Sequence, residues 1–90
     1  MKKYIIERDI PGVDKMTADQ LKGAAATSNA ALAQLGPKVQ WIQSFVAADK
    51  TFCLYLAEDE AAIHEHARIS GFPANKITEV TGGIDPTTAG

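Results

Sequence analysis

The chain has 90 residues, which is the length of one domain, and we expect residues 1–90 to fold as a single unit. Apolar residues make up 46% of the sequence and charged residues 22%, a balance that is typical of globular proteins and excludes disordered and collagen-like chains. The formal net charge is -2, which argues against nucleic-acid binding because proteins of that class carry a basic face.

The cysteine content and the apolar runs exclude two further kinds of protein. The chain has one cysteine, Cys53, which can neither form an internal disulfide nor supply the thiolates of a zinc cage. No apolar run approaches the roughly 20 residues that a membrane helix needs, and the amino terminus lacks the apolar segment of a signal peptide. We therefore expect a cytoplasmic protein that contacts neither membranes nor nucleic acids.

The first elements along the chain are a strand and a helix. Residues 2–9 predict a strand that ends at Pro11-Gly12, since proline removes a backbone donor and glycine favours a turn. Thr17 is a predicted helix N-cap, and Gln20 completes a capping box. Apolar and small residues then follow at the spacing of one buried helical face, until Gly36-Pro37 ends the helix.

The rest of the chain predicts three more strands and a second helix. Residues 39–46 and 51–57 are rich in aromatic and β-branched residues, and the gap between them is too short for a crossover, so they form an antiparallel hairpin. The second helix begins with the acidic residues 58–60 and ends at Gly71. Residues 76–84 predict the last strand, interrupted by two glycines.

This order of elements predicts the ferredoxin-like βαββαβ fold of the α+β class, a four-stranded antiparallel sheet with both helices on one face. By simple alternation, the first hairpin strand places Val39, Trp41 and Phe45 on one side, and Ile42 and Val46 on the other. Either register leaves apolar surface on the face without helices, and such patches mark interfaces. We therefore expect a homodimer packed sheet against sheet, within a larger assembly or alone.

Two histidines on the second helix are the first candidates for a functional site. His64 and His66 are separated by about 200° around a helix, so an intact helix cannot direct both at one metal ion. His66 projects with Ala62 and Ile63 toward the sheet, whereas His64 projects toward solvent. An inward His66 is either a hydrogen-bonded core residue or a site residue, and both interpretations stay open.

A second set of candidates lies on the predicted strands. These pocket candidates are Arg8, Trp41, Gln43, Cys53 and Tyr55. Because buried polar groups usually have partners, a cluster of these residues with His66 around a pocket is one hypothesis. An inert core role for Cys53 and a packing role for Trp41 are the alternatives. No P-loop, dinucleotide or nucleophile-elbow motif occurs, and we assign no catalytic residue.

Several short segments carry a resemblance to a known family. They are residues 4–11, 40–44, 53–55, 65–67, 71–74 and 85–88. In them the chain resembles the small bacterial nickel-responsive proteins with ferredoxin-like folds. The resemblance implies a homodimer that binds nickel or another divalent transition metal. His66 falls in the family's Glu-His-Ala segment and is the first candidate ligand, with Glu65 and His64 assisting.

Two functions follow from these observations. The first is a non-enzymatic, dimeric protein that binds or responds to a metal through His66. The alternative is an enzyme or small-molecule binder that resembles the dimeric α+β barrel oxygenases and isomerases and uses a cavity between helices and sheet. His66 would then act as a base or orienting group, and Tyr55, Gln43 or Arg8 would bind the substrate. If neither metal nor pocket is present, a purely structural module remains.

Overall fold

Four antiparallel strands form one sheet in the computed structural model, which describes residues 1–90. The elements are β1 (Lys2–Asp9), α1 (Ala18–Leu35), β2 (Val39–Val46), β3 (Lys50–Ala57), α2 (Glu60–Ser70) and β4 (Lys76–Val80). The strand order is β2-β3-β1-β4, and both helices cover one face of the sheet. The predicted ferredoxin-like α+β fold is confirmed.

The ends of both helices form as local sequence signals predict. Thr17 caps α1 through a complete capping box, in which its hydroxyl accepts from the Gln20 backbone N–H and the Gln20 side chain accepts from that of Thr17. Asp59 caps α2, because its carboxylate accepts from the Ala62 N–H at 2.9 Å. Gly71 ends α2 with a φ of 80°, a left-handed conformation that favours glycine.

The last strand is shorter than the predicted residues 76–84. It ends at Val80, which lies opposite Lys3 near the beginning of β1. In this register residues 82–84 extend past Lys2, where β1 begins, and have no residue of β1 to pair with.

A bulge in β2 changes the face on which its second half lies. Trp41 is opposite Tyr55 and Gln43 is opposite Leu54, so Ile42 is an extra residue between the two pairs. Beyond the bulge the alternation reverses, so that Ser44 joins Trp41 on the helix-covered face. The predicted grouping of Trp41 with Phe45 is therefore wrong, since simple alternation does not allow for an inserted residue.

The core lies between the helices and the sheet. Its largest fully buried side chains are Ile6, Ile63 and His66. Buried and half-buried residues alternate strictly along β3, and Cys53 and Tyr55 are buried against the helices. The sequence alone had not determined which side of β3 faces the helices.

The opposite face of the sheet, which we call the open face, carries the apolar surface that the sequence predicted. Its apolar side chains are Ile5, Phe45, Phe52, Leu54, Leu56 and Val80, and all of them are half-buried or exposed. Phe45 is 54% exposed. Neither helix is both long enough and apolar enough to cross a membrane.

Candidate functional site

A cavity of about 450 Å³ lies between α1, the sheet and the loop that follows β1. Of its 18 lining residues, 11 are hydrophobic, and α1 contributes the small side chains of Ala24 and Ala25. The lining residues with a charge or a hydroxyl group are Arg8, Asp9, Ser28, Ser44, Thr51 and Tyr55. The cavity is therefore a largely apolar cleft, partly open to solvent, with a few polar groups in its wall.

Arg8 is the one cationic residue of that wall. It is only 2% exposed, and its Nη1 donates a hydrogen bond to the Pro73 carbonyl at 2.8 Å. Its Nη2 is buried without a hydrogen-bond partner, and no carboxylate oxygen of the chain lies within 4.0 Å of the guanidinium. A buried cation without a counter-charge is destabilising, so Arg8 places an uncompensated positive charge in the wall of the cavity.

Three buried side chains connect α1, β3 and α2 beside this charge. Ser28 Oγ on α1 lies 3.3 Å from the Tyr55 hydroxyl and 3.1 Å from Nε2 of His66. The Tyr55 ring packs 5.2 Å from the His66 ring, and the Arg8 guanidinium carbon lies 5.8 Å from the Tyr55 ring centroid. Burial raises the pKa of the Tyr55 hydroxyl, which therefore stays protonated at neutral pH.

His66 faces the sheet, as its projection on the helix predicts. It is 0% exposed, and its Nδ1 is buried without a hydrogen-bond partner. Burial and, to a smaller extent, the nearby positive charge of Arg8 together lower the pKa of His66 to about 4. The imidazole is therefore neutral at pH 7 and a weak proton acceptor.

The structure brings four of the five pocket candidates together. Arg8, Trp41, Cys53 and Tyr55 all line the cavity. Trp41 stacks on Tyr55 with ring centroids 6.5 Å apart, and its Nε1 donates to Ser44 Oγ at 2.9 Å. Gln43 is exposed on the open face, because the bulge at Ile42 directs it away from the helices.

The three metal candidates lie on α2 without forming one site. His64 is exposed on the side of α2 away from the sheet, and His66 is buried with Nε2 against Ser28. The Glu65 carboxylate accepts hydrogen bonds from Nε and Nη2 of Arg68, which lower the pKa of its carboxyl. The chain has no group of three or more His, Cys, Asp or Glu side chains placed to hold a metal ion. Within one chain, these residues do not fit a common nickel site.

Two members of the site are not evident from the sequence. In the predicted buried face of α1, Ser28 counts only as a small residue. Its hydroxyl, lying among alanines on that face, is nevertheless a signal, because a buried hydroxyl needs a hydrogen-bond partner. The Pro73 carbonyl, the acceptor for Arg8, has no sequence signal because any residue provides a backbone carbonyl.

Fold and site together describe a ferredoxin-like protein with a largely apolar cavity, partly open to solvent, and a buried cation in its wall. The chain belongs to the family of nickel-responsive SCO4226-like proteins, whose family model matches residues 4–80. This confirms the family resemblance of the sequence segments described above.

One solved structure similar to this chain is that of SCO4226 from Streptomyces coelicolor A3(2). The two chains are 21% identical and superpose with a TM-score of 0.75, over 91% of this chain and 99% of that one. At this identity the comparison shows a shared fold alone. No curated protein sequence matches the chain.

The low pKa of His66 predicts a pH-dependent stability. The unfolded chain takes up a proton near pH 6.5 and the folded chain near pH 4, so the stability present above pH 6.5 is lost as the pH falls through this window. Between pH 7 and pH 5 the free energy of unfolding should fall by about 2 kcal/mol on account of His66.

Urea unfolding of the wild type, His66→Gln and His64→Gln at both pH values measures this effect. The decrease in the free energy of unfolding between pH 7 and pH 5 should be smaller in His66→Gln than in the wild type by about 2 kcal/mol. In His64→Gln it should equal that of the wild type, because His64 is exposed. Histidine-ring NMR of the intact protein should also show that His66 does not titrate above pH 5. Equal pH dependence in all three proteins would contradict the prediction.

Proposed function

We propose that this protein is a non-enzymatic binding protein whose cavity under α1 holds a small, largely apolar molecule. The observation that carries the proposal is the cavity itself. Its volume of about 450 Å³ lies in the range of small-molecule sites, roughly 300 to 1,000 Å³, and its mostly apolar wall with few polar groups is typical of them.

The surroundings of His66 favour binding over catalysis. Ser28 and His66 lie 3.1 Å apart, the separation of a nucleophile and its base in hydrolases. Such a base needs a partner that orients its second nitrogen, but Nδ1 of His66 has none. Its pKa of about 4 also makes His66 a weak base at neutral pH. Ser28 and His66 therefore serve to hold the Tyr55 hydroxyl in the wall of the cavity.

Binding of an uncharged fluorescent dye tests the cavity. N-phenyl-1-naphthylamine, whose emission rises in apolar surroundings, should bind the wild type in the micromolar range. Ala25→Leu adds apolar bulk inside the cavity and should weaken this binding by about tenfold or more. Ala26→Leu makes the same change on the exposed side of α1 and should leave it unchanged. No dye binding to the wild type, or equal binding by both variants, would contradict the proposal.

We also propose that two copies of the chain pack through their open faces. The apolar strip along β1 and β3 is the kind of surface that a second protein covers. The charged residues beside it have both signs: Glu7 lies 3.5 Å from Lys50 and 3.8 Å from Lys76. A second copy would therefore meet a neutralised edge without strong repulsion between like charges.

Analytical ultracentrifugation at micromolar concentration tests this dimer. The wild type should sediment as a dimer, and Leu54→Glu should sediment as a folded monomer because the new carboxylate lies in the middle of the open face. Ala61→Glu places the same charge on an exposed position of α2 and should remain dimeric. A wild-type monomer, or a dimeric Leu54→Glu, would remove the sheet-to-sheet interface.

Nickel binding is the second candidate function, and the nickel-responsive description of the family favours it. We retain His64, His66 and Glu65 as candidate ligands, and their positions rank them. His64 is exposed and open to a metal ion. His66 is fully buried and its Nε2 would have to leave Ser28, and Glu65 would have to leave Arg68. Because nickel takes several nitrogen and oxygen donors, water or a second chain would complete the coordination.

Calorimetric titration of tag-free protein with nickel ions tests this candidate. Micromolar binding that is lost in His64→Ala and kept in His66→Ala is the expected result, since only the first of these imidazoles is exposed. The reverse pattern would assign the metal to His66. The absence of binding to the wild type would remove nickel as a ligand of this chain.

A further inference from the structure

The strongest unexplained feature of the molecule is the charge of Arg8. Buried arginines ordinarily have carboxylate partners, because an unpaired cation in an apolar interior is destabilising. Arg8 has one hydrogen bond, to the Pro73 carbonyl, and its Nη2 has none. The residue nevertheless lines the cavity, and because only 2% of it is exposed, a ligand would meet its guanidinium through a small movement of the side chain.

We propose that the ligand of this cavity carries a carboxylate, which binds to the guanidinium of Arg8, and an apolar body that lies against α1. This inference rests on the small-molecule function proposed above and names the chemical class of the ligand. A carboxylate is planar and has two acceptor oxygens, which match the paired N–H groups of a guanidinium. It would provide both the missing counter-charge and the missing hydrogen-bond acceptor.

The balance of charges in the wall indicates a single negative charge on the ligand. Arg8 is the only cationic lining residue, and the one lining carboxylate, Asp9, is exposed and lies 3.8 Å from Lys50. His66 adds no positive charge, because its imidazole is neutral at pH 7. A monocarboxylate is therefore neutralised by Arg8, whereas a phosphate dianion would keep a buried negative charge.

The remaining wall fits the apolar part of such a molecule. Leu21, Ala24 and Ala25 form the α1 side, and the stacked rings of Trp41 and Tyr55 form part of the sheet side. The small alanines leave the space that an aromatic or branched apolar body would fill. The site therefore selects an amphipathic acid, with its charged head at Arg8.

A matched pair of probes tests the carboxylate. 1-Naphthaleneacetate and 1-naphthaleneacetamide share their ring system and differ in charge, and calorimetry gives the dissociation constant of each at pH 7. The acid should bind the wild type about tenfold or more tightly than the amide, as expected for a hydrogen bond between two charged groups. 1-Naphthyl phosphate should bind more weakly than the acid.

The two arginines of the chain provide a matched pair of variants. Arg8→Gln should remove the preference for the acid over the amide, whereas Arg68→Gln, at an exposed position of α2, should keep it. Arginine side-chain NMR of the wild type gives a measurement that needs no variant. The guanidinium signals of Arg8, and not those of Arg68, should shift with the acid and not with the amide.

The outcomes distinguish the two proposals. Equal affinity of the wild type for acid and amide, or a preference that persists in Arg8→Gln, would overturn the carboxylate assignment while binding of the uncharged dye still supports the cavity. Tighter binding of the naphthyl phosphate than of the acid would likewise overturn it. If the dye and both naphthalene probes all fail to bind, the small-molecule function and the carboxylate assignment fail together.

Discussion

The burial of one positive charge, that of Arg8, is the constraint on which the rest of the site depends. The guanidinium lies between the helices and the sheet, where its bond to the Pro73 carbonyl ties the segment after α2 to β1. It lies beside the Tyr55 ring and helps to keep His66 neutral. A neutral imidazole can remain fully buried at pH 7. The charged Arg8 and the buried His66 can therefore lie close together, because His66 does not become a second cation.

The sequence predicted those parts of the fold that depend on neighbours along the chain. The capping box at Thr17 and the helix end at Gly71 involve residues within one helical turn, and both are confirmed. The bulge at Ile42 was missed because it depends on which residues of β3 lie opposite β2. The alternation of apolar and polar residues within one strand contains no information about the partner strand. A bulge moves every later side chain of its strand to the opposite face of the sheet.

The candidate site was predictable to a similar extent and for the same reason. The projection of α2 placed His66 toward the sheet and His64 toward solvent, as the structure has them. That Arg8 and Tyr55 share a face follows from β1 and β3 being antiparallel neighbours, which only the topology establishes. The sequence offered a cavity between helices and sheet only as one hypothesis, because its volume depends on how far α1 lies from the sheet when the facing residues are as small as Ala24 and Ala25.

His66 is the one residue that the two candidate functions share, and it makes them dependent on each other. A metal ion on Nε2 of His66 would replace its contact with Ser28, and Ser28 also lies 3.3 Å from the Tyr55 hydroxyl in the cavity wall. The bound cation would also stand close to the uncompensated charge of Arg8, and the repulsion between them would weaken metal binding. A carboxylate ligand beside Arg8 would reduce that repulsion. Metal binding at His66 would therefore be coupled to the ligand in the cavity, whereas metal binding at the exposed His64 would leave the cavity unchanged.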